Sequence, residues 1–282
     1  MIDTHCHIDE EAYAADREEV IARQRASGVE AMIVPGVNAA SIEPILDISR
    51  AHPGFCYSAL GFHPQDVKAD WQEQLATIET AIRAHRDELV AIGEIGLDYY
   101  WDKTFKVEQQ EVLRRQLLLA RELDLPVILH NREATEDIMQ IVKEISNLQS
   151  PISNLRGVMH CYNGSKETAE KILRMGLYLG IGGVITFKNC KLAETLRELN
   201  SQHSLSQHSL SQHSLSQHSS LISQLLLETD GPYLAPTPHR GERNESRWMT
   251  YVVERLAESL GTTQEEIIRQ TTANAKRLFD LK

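Results

Sequence analysis

The sequence predicts a (β/α)8 TIM barrel, an α/β fold, and three observations lead there. Eight short runs rich in Val, Ile, Leu and Gly recur along the 282 residues, each followed by a longer stretch of helical periodicity. Several of these runs are almost continuously apolar, as strands of a parallel sheet buried on both faces must be. Imidazole and carboxylate residues gather at the ends of the runs, where barrel enzymes carry their chemistry. A doubly wound open sheet is the weaker alternative.

Strands are expected near 1–8, 30–37, 56–63, 90–97, 126–131, 157–162, 178–183 and 225–230. The segment 107–124 is expected to be a helix whose apolar face collects Val107, Leu113, Leu117, Leu118 and Ala120, with Leu125 just beyond. Two stretches interrupt the pattern. Residues 145–148 read ISNL, and the same four letters return at 152–155. Residues 201–220 read SQHSL three times and then SQHSS. A period of five turns each successive histidine by roughly 140° about a helix axis, so His203, His208, His213 and His218 share no face. The tract is expected to be a mobile or loosely helical surface insertion with no part in the chemistry. Residues 1–282 then form one barrel domain, of about 260 residues without the insertion, a natural barrel size.

With 41% hydrophobic and 24% charged residues, the chain is neither collagenous, nor wholly disordered, nor a disulfide scaffold. Its 29 Lys and Arg stand against 40 Asp and Glu, a net charge of -11 that excludes a broad basic surface for nucleic acid. Any phosphate-rich substrate must be drawn in by bound metal or by a few local arginines. The four cysteines are far apart and form no CxxC pair, as expected of reduced thiols in a cytoplasmic protein. No leader segment and no membrane span are expected, and no obligatory protein partner is evident.

Six residues carry the chemical expectation. His5 and His7 form an HxH pair, and alternate strand residues face one side. Glu94 lies inside an apolar strand, where an ionised carboxylate is costly unless paired or metal-bound. His130, His160 and Asp230 each end a predicted strand. Four imidazoles and two carboxylates exceed the needs of one tetrahedral ion, so two divalent metals sharing Glu94 are expected, with hydrolysis as the reaction class. Asp230 is expected to ligate a metal, to accept the proton of the attacking water, or both. The donor set admits Mg, Mn or Zn.

These residues lie in motifs that together resemble the TatD family of metal-dependent deoxyribonucleases: THCH at 4–7, GFHP at 61–64, IGEIGLDYY at 92–100, HNR at 130–132, HCYNG at 160–164, ETDGPYLAP at 228–236 and RGERNE at 240–245. The resemblance runs from residue 1 to the end, apart from the repeat. It implies a TIM barrel, divalent metals, and hydrolysis of phosphodiester bonds in DNA, typically from the 3′ end. By position it implies one metal on His5, His7, Glu94 and Asp230 and a second on Glu94, His130 and His160, with Asp230 and Glu94 catalytic.

Around this set, His63 is expected to contact a substrate phosphate or to support the site, and Arg132 and Arg240 to bind phosphate; Arg243 is an equally good candidate for a solvated loop residue. Of Tyr99, Tyr100 and Trp101, at least two are expected to bury the barrel mouth, although stacking on a base is open to them. Cys6 and Cys161 are expected to point away from the ligands as small core residues. Ser246, where the family often has Pro, is expected to cap a helix starting near Arg247. Two alternatives remain: an amidohydrolase or esterase for small molecules on the same scaffold, and a metal-binding interaction module built on the SQHSL tract. The lack of a strand lysine suited to a carbamylated bridge leans away from the first.

Overall fold

The computed structural model describes residues 1–148, 155–209 and 220–282. Eight parallel strands follow one another in chain order: β1 (Ile2–Asp3), β2 (Ala31–Pro35), β3 (Cys56–Leu60), β4 (Leu89–Asp98), β5 (Val127–Arg132), β6 (Gly157–Met159), β7 (Tyr178–Ile181) and β8 (Leu225–Leu227). Just past β1 and β8 the backbone closes the ring. Thr4 N–H donates to the Leu227 carbonyl (3.0 Å), Asp230 N–H to that of His5 (2.9 Å) and His7 N–H to that of Gly231 (2.8 Å). The expected barrel is therefore present.

Helices α1 (Arg17–Ala26), α2 (Ile42–Ala51), α3 (Trp71–Ala84), α4 (Lys106–Glu122), α5 (Thr135–Ser146), α6 (Lys166–Arg174), α7 (Leu192–Ser209), α8 (Met249–Leu260) and α9 (Gln264–Phe279) accompany the strands. Local chemistry sets several ends. The Ser165 hydroxyl accepts from Thr168 N–H to start α6, the Thr263 hydroxyl accepts from Glu266 N–H to start α9, and Gly261 ends α8 in the left-handed region.

A small apolar cluster takes residues from every strand: Ile2, Ala31 and Ile33, Ala59, Ala91, Ile128, Val158, Leu226 and the partly buried Tyr178. Only the bore of a barrel can bring all eight strands together. Leu278 and Phe279 at the end of α9, with Leu281 beyond it, join the same cluster. Met32 and Val34, alternating with Ala31 and Ile33, belong instead to the larger cluster between strands and helices.

Three expectations need correction. Strands β1, β3, β6 and β8 stop before His5, His63, His160 and Asp230, which stand on the turns beyond. There the ladder opens: Cys161 and Asp230 have positive φ (46° and 59°), outside any strand conformation. In α4, Val107 and Leu118 face solvent, and Gln109 and Gln116 take buried places beside Val112, Leu113, Leu117 and Ala120. Their amides satisfy strand ends that leucine could not. Gln116 Oε1 accepts from Phe62 N–H (2.8 Å), and Gln109 Oε1 accepts from Asp98 N–H (3.0 Å). Ser246 begins a 3-10 turn, Ser246–Trp248, whose cap position is Glu245, so it caps nothing. Helix α7 runs into the SQHSL tract as far as Ser209. Residues 210–219 of the tract, and 152–154 of the second ISNL copy, lie outside the described residues.

Candidate metal centre

Glu94 sits at the middle of the barrel mouth, 3% exposed. The β4–β5 ladder shifts register between Ile92 and Ile95, and Glu94 N–H turns to the Gly36 carbonyl (2.8 Å). A side chain on Gly61 could not be accommodated, because its Cβ would lie 2.7 Å from Gly93 C and 2.8 Å from Glu94 O. The Gly of GFHP thus lets β3 approach the segment that carries Glu94.

The two oxygens of this carboxylate serve opposite sides. Oε2 faces His5 Nε2 (3.2 Å) and His7 Nε2 (3.7 Å), while Oε1 faces His130 Nδ1 (2.8 Å), His63 Nε2 (3.6 Å) and His160 Nε2 (4.0 Å). Asp230 Oδ1 lies 3.8 Å from the Nε2 of both His5 and His7 and 3.6 Å from His160 Nε2. The structure therefore gathers all six expected ligands, and His63 with them. His5 Nε2 and His7 Nε2 approach to 3.1 Å. Ligands at about 2.0–2.1 Å from a tetrahedral ion stand about 3.3 Å apart, so this spacing fits donors around a shared cation. Four donor groups form among the described residues: His5, His7 and Asp230; His5, Glu94 and His160; His63, Glu94 and His130; and His160, Cys161 and Asp230, so that His160 stands between the two sides and in no group with His130.

Two carboxylates that the expectation omitted stand behind the histidines. Asp98 Oδ2 lies 3.1 Å from His130 Nε2 and accepts from the Gln65 side chain (2.8 Å), while Oδ1 accepts from Tyr100 N–H (2.9 Å). Glu228 Oε1 lies 3.1 Å from His160 Nδ1 and accepts from Cys161 N–H. Gly180 leaves the room that Glu228 occupies, since a Cβ there would fall 2.2 Å from its Oε2. Both acids were inside the quoted motifs, at the ends of IGEIGLD and at the start of ETDG. Their buried position beside apolar neighbours was the available signal.

Electrostatics follow from this layout. Burial alone would raise the Glu94 carboxyl, but His63, His5, His130 and His160 outweigh it and hold it well below the usual range. Burial depresses His5 strongly, helped by the like charge of His160, whose ring stacks on it at 3.5 Å, and brings His7 down to about 4. The same burial acts on His130 and His160, yet Asp98 and Glu94 lift the first to about 9, and Glu228 and Asp230 lift the second to about 10. Burial raises Asp230 to about 7 against the opposing charge of His160.

The surrounding residues divide. His63 Nδ1 accepts from Gln65 N–H (3.2 Å), which leaves the proton of the neutral ring on Nε2 as a donor toward the cluster. Arg132 and Arg240 are exposed, stacked over Tyr100 (4.0 Å) and Phe187 (3.5 Å), and neither forms an ion pair among the described residues. Arg243 is structural: it donates to both oxygens of Asp16 (2.7 and 2.8 Å) and to the Ala12 carbonyl. Asn244 beside it holds the carbonyls of Thr229 (2.8 Å) and Tyr233 (2.7 Å), fixing the loop that carries Asp230. Two expectations fail at this rim. Only Tyr99 is buried, its hydroxyl on Asp137 (2.9 Å), whereas Tyr100 and Trp101 are 49% and 65% exposed. Cys6 is a buried core residue as expected, but Cys161 sits on a turn, and its sulfur lies within 4.8 Å of ligand atoms of His160 and Asp230.

The TatD-related DNase family model matches residues 2–280. The chain belongs to that family. A metal-dependent hydrolase of Bacillus subtilis, YabD, is 41% identical over 280 residues, covering 99% of this chain and 98% of the relative. The protein named 3'-5' ssDNA/RNA exonuclease TatD of Erwinia tasmaniensis is 34% identical, with both chains covered completely. Among solved structures, YJJV, a TatD homologue of Escherichia coli K12, superposes with a TM-score of 0.84 at 29% identity, over 100% of this chain and 98% of its own. The chain is thus a TatD-family metal-dependent hydrolase. Among the described residues no helix is long and apolar enough to cross a membrane.

Proposed function

We propose that this hydrolase cleaves phosphodiester bonds of DNA or another single-stranded nucleic acid from the 3′ end, using two divalent ions at the barrel mouth. The observation that carries the two-ion reading is the division of Glu94, one oxygen toward His5 and His7 and the other toward His130. The name of the Erwinia relative supports the substrate and polarity.

His5, His7, Glu94 Oε2 and Asp230 would hold one ion; Glu94 Oε1, His130 and His160 would hold the other. When bound, two such ions neutralise the phosphoryl oxygens, lower the pKa of an attacking water and stabilise the leaving oxygen. Asp230, at the edge of the set and partly exposed, is positioned to take the proton of that water at Oδ1. His63 Nε2 donates to a non-bridging phosphate oxygen, and Asp98 and Glu228 hold the rings of His130 and His160 in place. Arg132 and Arg240 bring guanidinium donors to flanking phosphates on an otherwise acidic protein. Mg, Mn and Zn all suit the mixed imidazole and carboxylate set, and a reduced, cytoplasmic setting suits four unpaired cysteines.

The test is release of nucleotides from 3′-labelled and 5′-labelled single-stranded DNA, RNA and duplex DNA, with each metal added to chelator-treated protein. Metal-dependent shortening from the 3′ end is expected. Glu94→Ala should fall to the rate of the chelated protein, and Asp230→Ala should lose most of its turnover while keeping part of its metal. Full activity in both variants would overturn the assignment.

A further inference from the structure

Three features beyond the six expected ligands stand out. The groove at the opposite end of the barrel is lined by Arg50, Arg86, Arg156 and Arg277, but each already donates to carboxylates, hydroxyls or carbonyls. Cys161 lies against His160 and Asp230, within the site already described. The third is the rim made by Tyr100, Trp101 and Arg132.

That rim has the properties of a stacking platform. Tyr100 and Trp101 are the successive residues after the buried Tyr99, and both are exposed although apolar burial would favour covering them. Their rings meet edge to face, with centroids 4.8 Å apart and an interplanar angle of 85°. Arg132 lies over Tyr100 at 4.0 Å and over Trp101 at 5.1 Å, so the cation is held by the rings and keeps its N–H donors free of ion pairs among the described residues. A cleft of about 170 Å³ opens beside Trp101, bounded by Gln65, Lys68 and Phe105. Pockets for drug-sized ligands begin at about 300 Å³, so this one suits a single flat ring.

The platform is also tied to the metal centre. Asp98 Oδ1 accepts from the backbone N–H groups of Tyr100 (2.9 Å) and Trp101 (3.4 Å), while its Oδ2 faces His130 Nε2 at 3.1 Å. One carboxylate therefore sets the position of both the aromatic pair and a ligand histidine.

We infer that Trp101, supported by Tyr100 and Arg132, stacks one unpaired base of the substrate strand and so positions the strand for cleavage. This rests on the nucleic-acid function proposed above. The contact uses the face of a base, which every base has, so it selects single strands without selecting sequence. A paired base inside a duplex cannot offer that face.

The experiment is an abasic scan crossed with Trp101 variants, in steady-state kinetics of the metal-loaded enzyme on short single-stranded DNA. For the wild type, one abasic position near the 3′ end should raise KM about tenfold, the size of one base–aromatic stack. Trp101→Ala should raise KM about tenfold on the intact strand and add nothing further on the strand abasic at that position. Trp101→Phe should recover most of the loss. A Trp101→Ala enzyme with wild-type KM, or with an equal penalty on intact and abasic strands, would overturn the platform alone. A wild type that shortens no oligonucleotide would overturn the nucleic-acid function, and the platform with it.

Discussion

The histidines on the two sides of Glu94 share a carboxylate but differ in charge. On the β1 side burial wins: His5 is driven well below its ordinary range and His7 to about 4. On the β5–β6 side burial loses, and His130 and His160 rise to about 9 and about 10. The cause is what stands behind each ring. Asp98 lies 3.1 Å from the outer nitrogen of His130 and Glu228 3.1 Å from that of His160, whereas among the described residues no carboxylate pairs with the Nδ1 of His5 or His7, and His7 has only a backbone carbonyl, Pro35. The two imidazoles of the β1 half are free of their second proton at neutral pH, and only Asp230, raised to about 7, still has one to lose there. The other half holds protons where a cation would sit.

The largest effect should therefore be the pH dependence of metal affinity. A ring that ligates must lose its proton, and below its pKa each displaced proton changes affinity about tenfold per pH unit. Both His130 and His160 are raised, so between pH 6 and 8 the affinity of the second ion should climb with a slope near two protons. The first ion, whose set adds Asp230 at about 7 to the already neutral His5 and His7, should climb by no more than one proton and level off above pH 7. Competition with a calibrated chelator, monitored separately for the two ions, measures both slopes. Stability of the metal-free protein should move the other way. A raised histidine stabilises the fold below its unfolded pKa, about 6.5, and that contribution is lost as pH rises through the folded value. The melting temperature without metal should fall between pH 7 and 10. Equal slopes for both ions would break the comparison.

Removing the carboxylates behind the rings should come next in size. Asp98→Asn and Glu228→Gln keep shape and lose charge, and such changes behind metal-bound histidines cost about 10–100-fold in metal affinity or activity. Asp98→Asn should also bring the pH slope of the second ion from two protons toward one. An unchanged slope, read by the same chelator competition, would mean that Asp98 does not govern His130.

The barrel and its six donors were legible in the sequence because each left a mark along the chain. Apolar strands repeat, HxH alternates as a strand does, and Glu94 is anomalous in its apolar surroundings. Asp98 and Glu228 were less visible, since an acid after a strand is ordinary until its three-dimensional neighbour is known. Gln109 and Gln116 were obscured by the reverse error. The apolar face expected of α4 includes the exposed Val107 and Leu118 and leaves out two polar residues that tie down strand ends. The rim residues were misjudged because burial was assumed for aromatics, whereas Tyr100 and Trp101 project past the last paired residues of β4.

Smaller effects should separate the arginines expected to bind phosphate, Arg132 and Arg240, from Arg243. Arg132 and Arg240 rest on rings with their donors free, whereas Arg243 is locked to Asp16. For a single strand, each lost phosphate contact lowers the salt slope of binding by about 0.7. Arg132→Ala and Arg240→Ala should each show that change in KM measured across a salt series. Arg243→Ala should leave the slope alone and lower the melting temperature instead, because it frees the loop that carries Asp230. A flattened slope in Arg243→Ala would put it among the substrate contacts.

The smallest effect is expected where histidines are densest. The repeat contributes four of the twelve in the chain, at a spacing of five that gathers them on no helical face. The eight strand ends, by contrast, bring five histidines onto one carboxylate. Deleting residues 211–215 removes one whole SQHSL unit, leaves α7 intact to Ser209 and shortens the eleven-residue connection 210–220 to six. Halving a loop changes its closure cost by only about 0.6 kcal/mol, so the barrel should keep its melting temperature within a few degrees. The tract joins α7 to β8 at the N-terminal end of the strand, away from the turn after β8 that bears Asp230. Bound metal, measured on the purified protein, and kcat/KM on single-stranded DNA should both stay at wild-type values. A loss of stoichiometric metal on deletion would move the working histidines from the barrel mouth to the repeat, and with them the function from hydrolysis to metal-mediated binding.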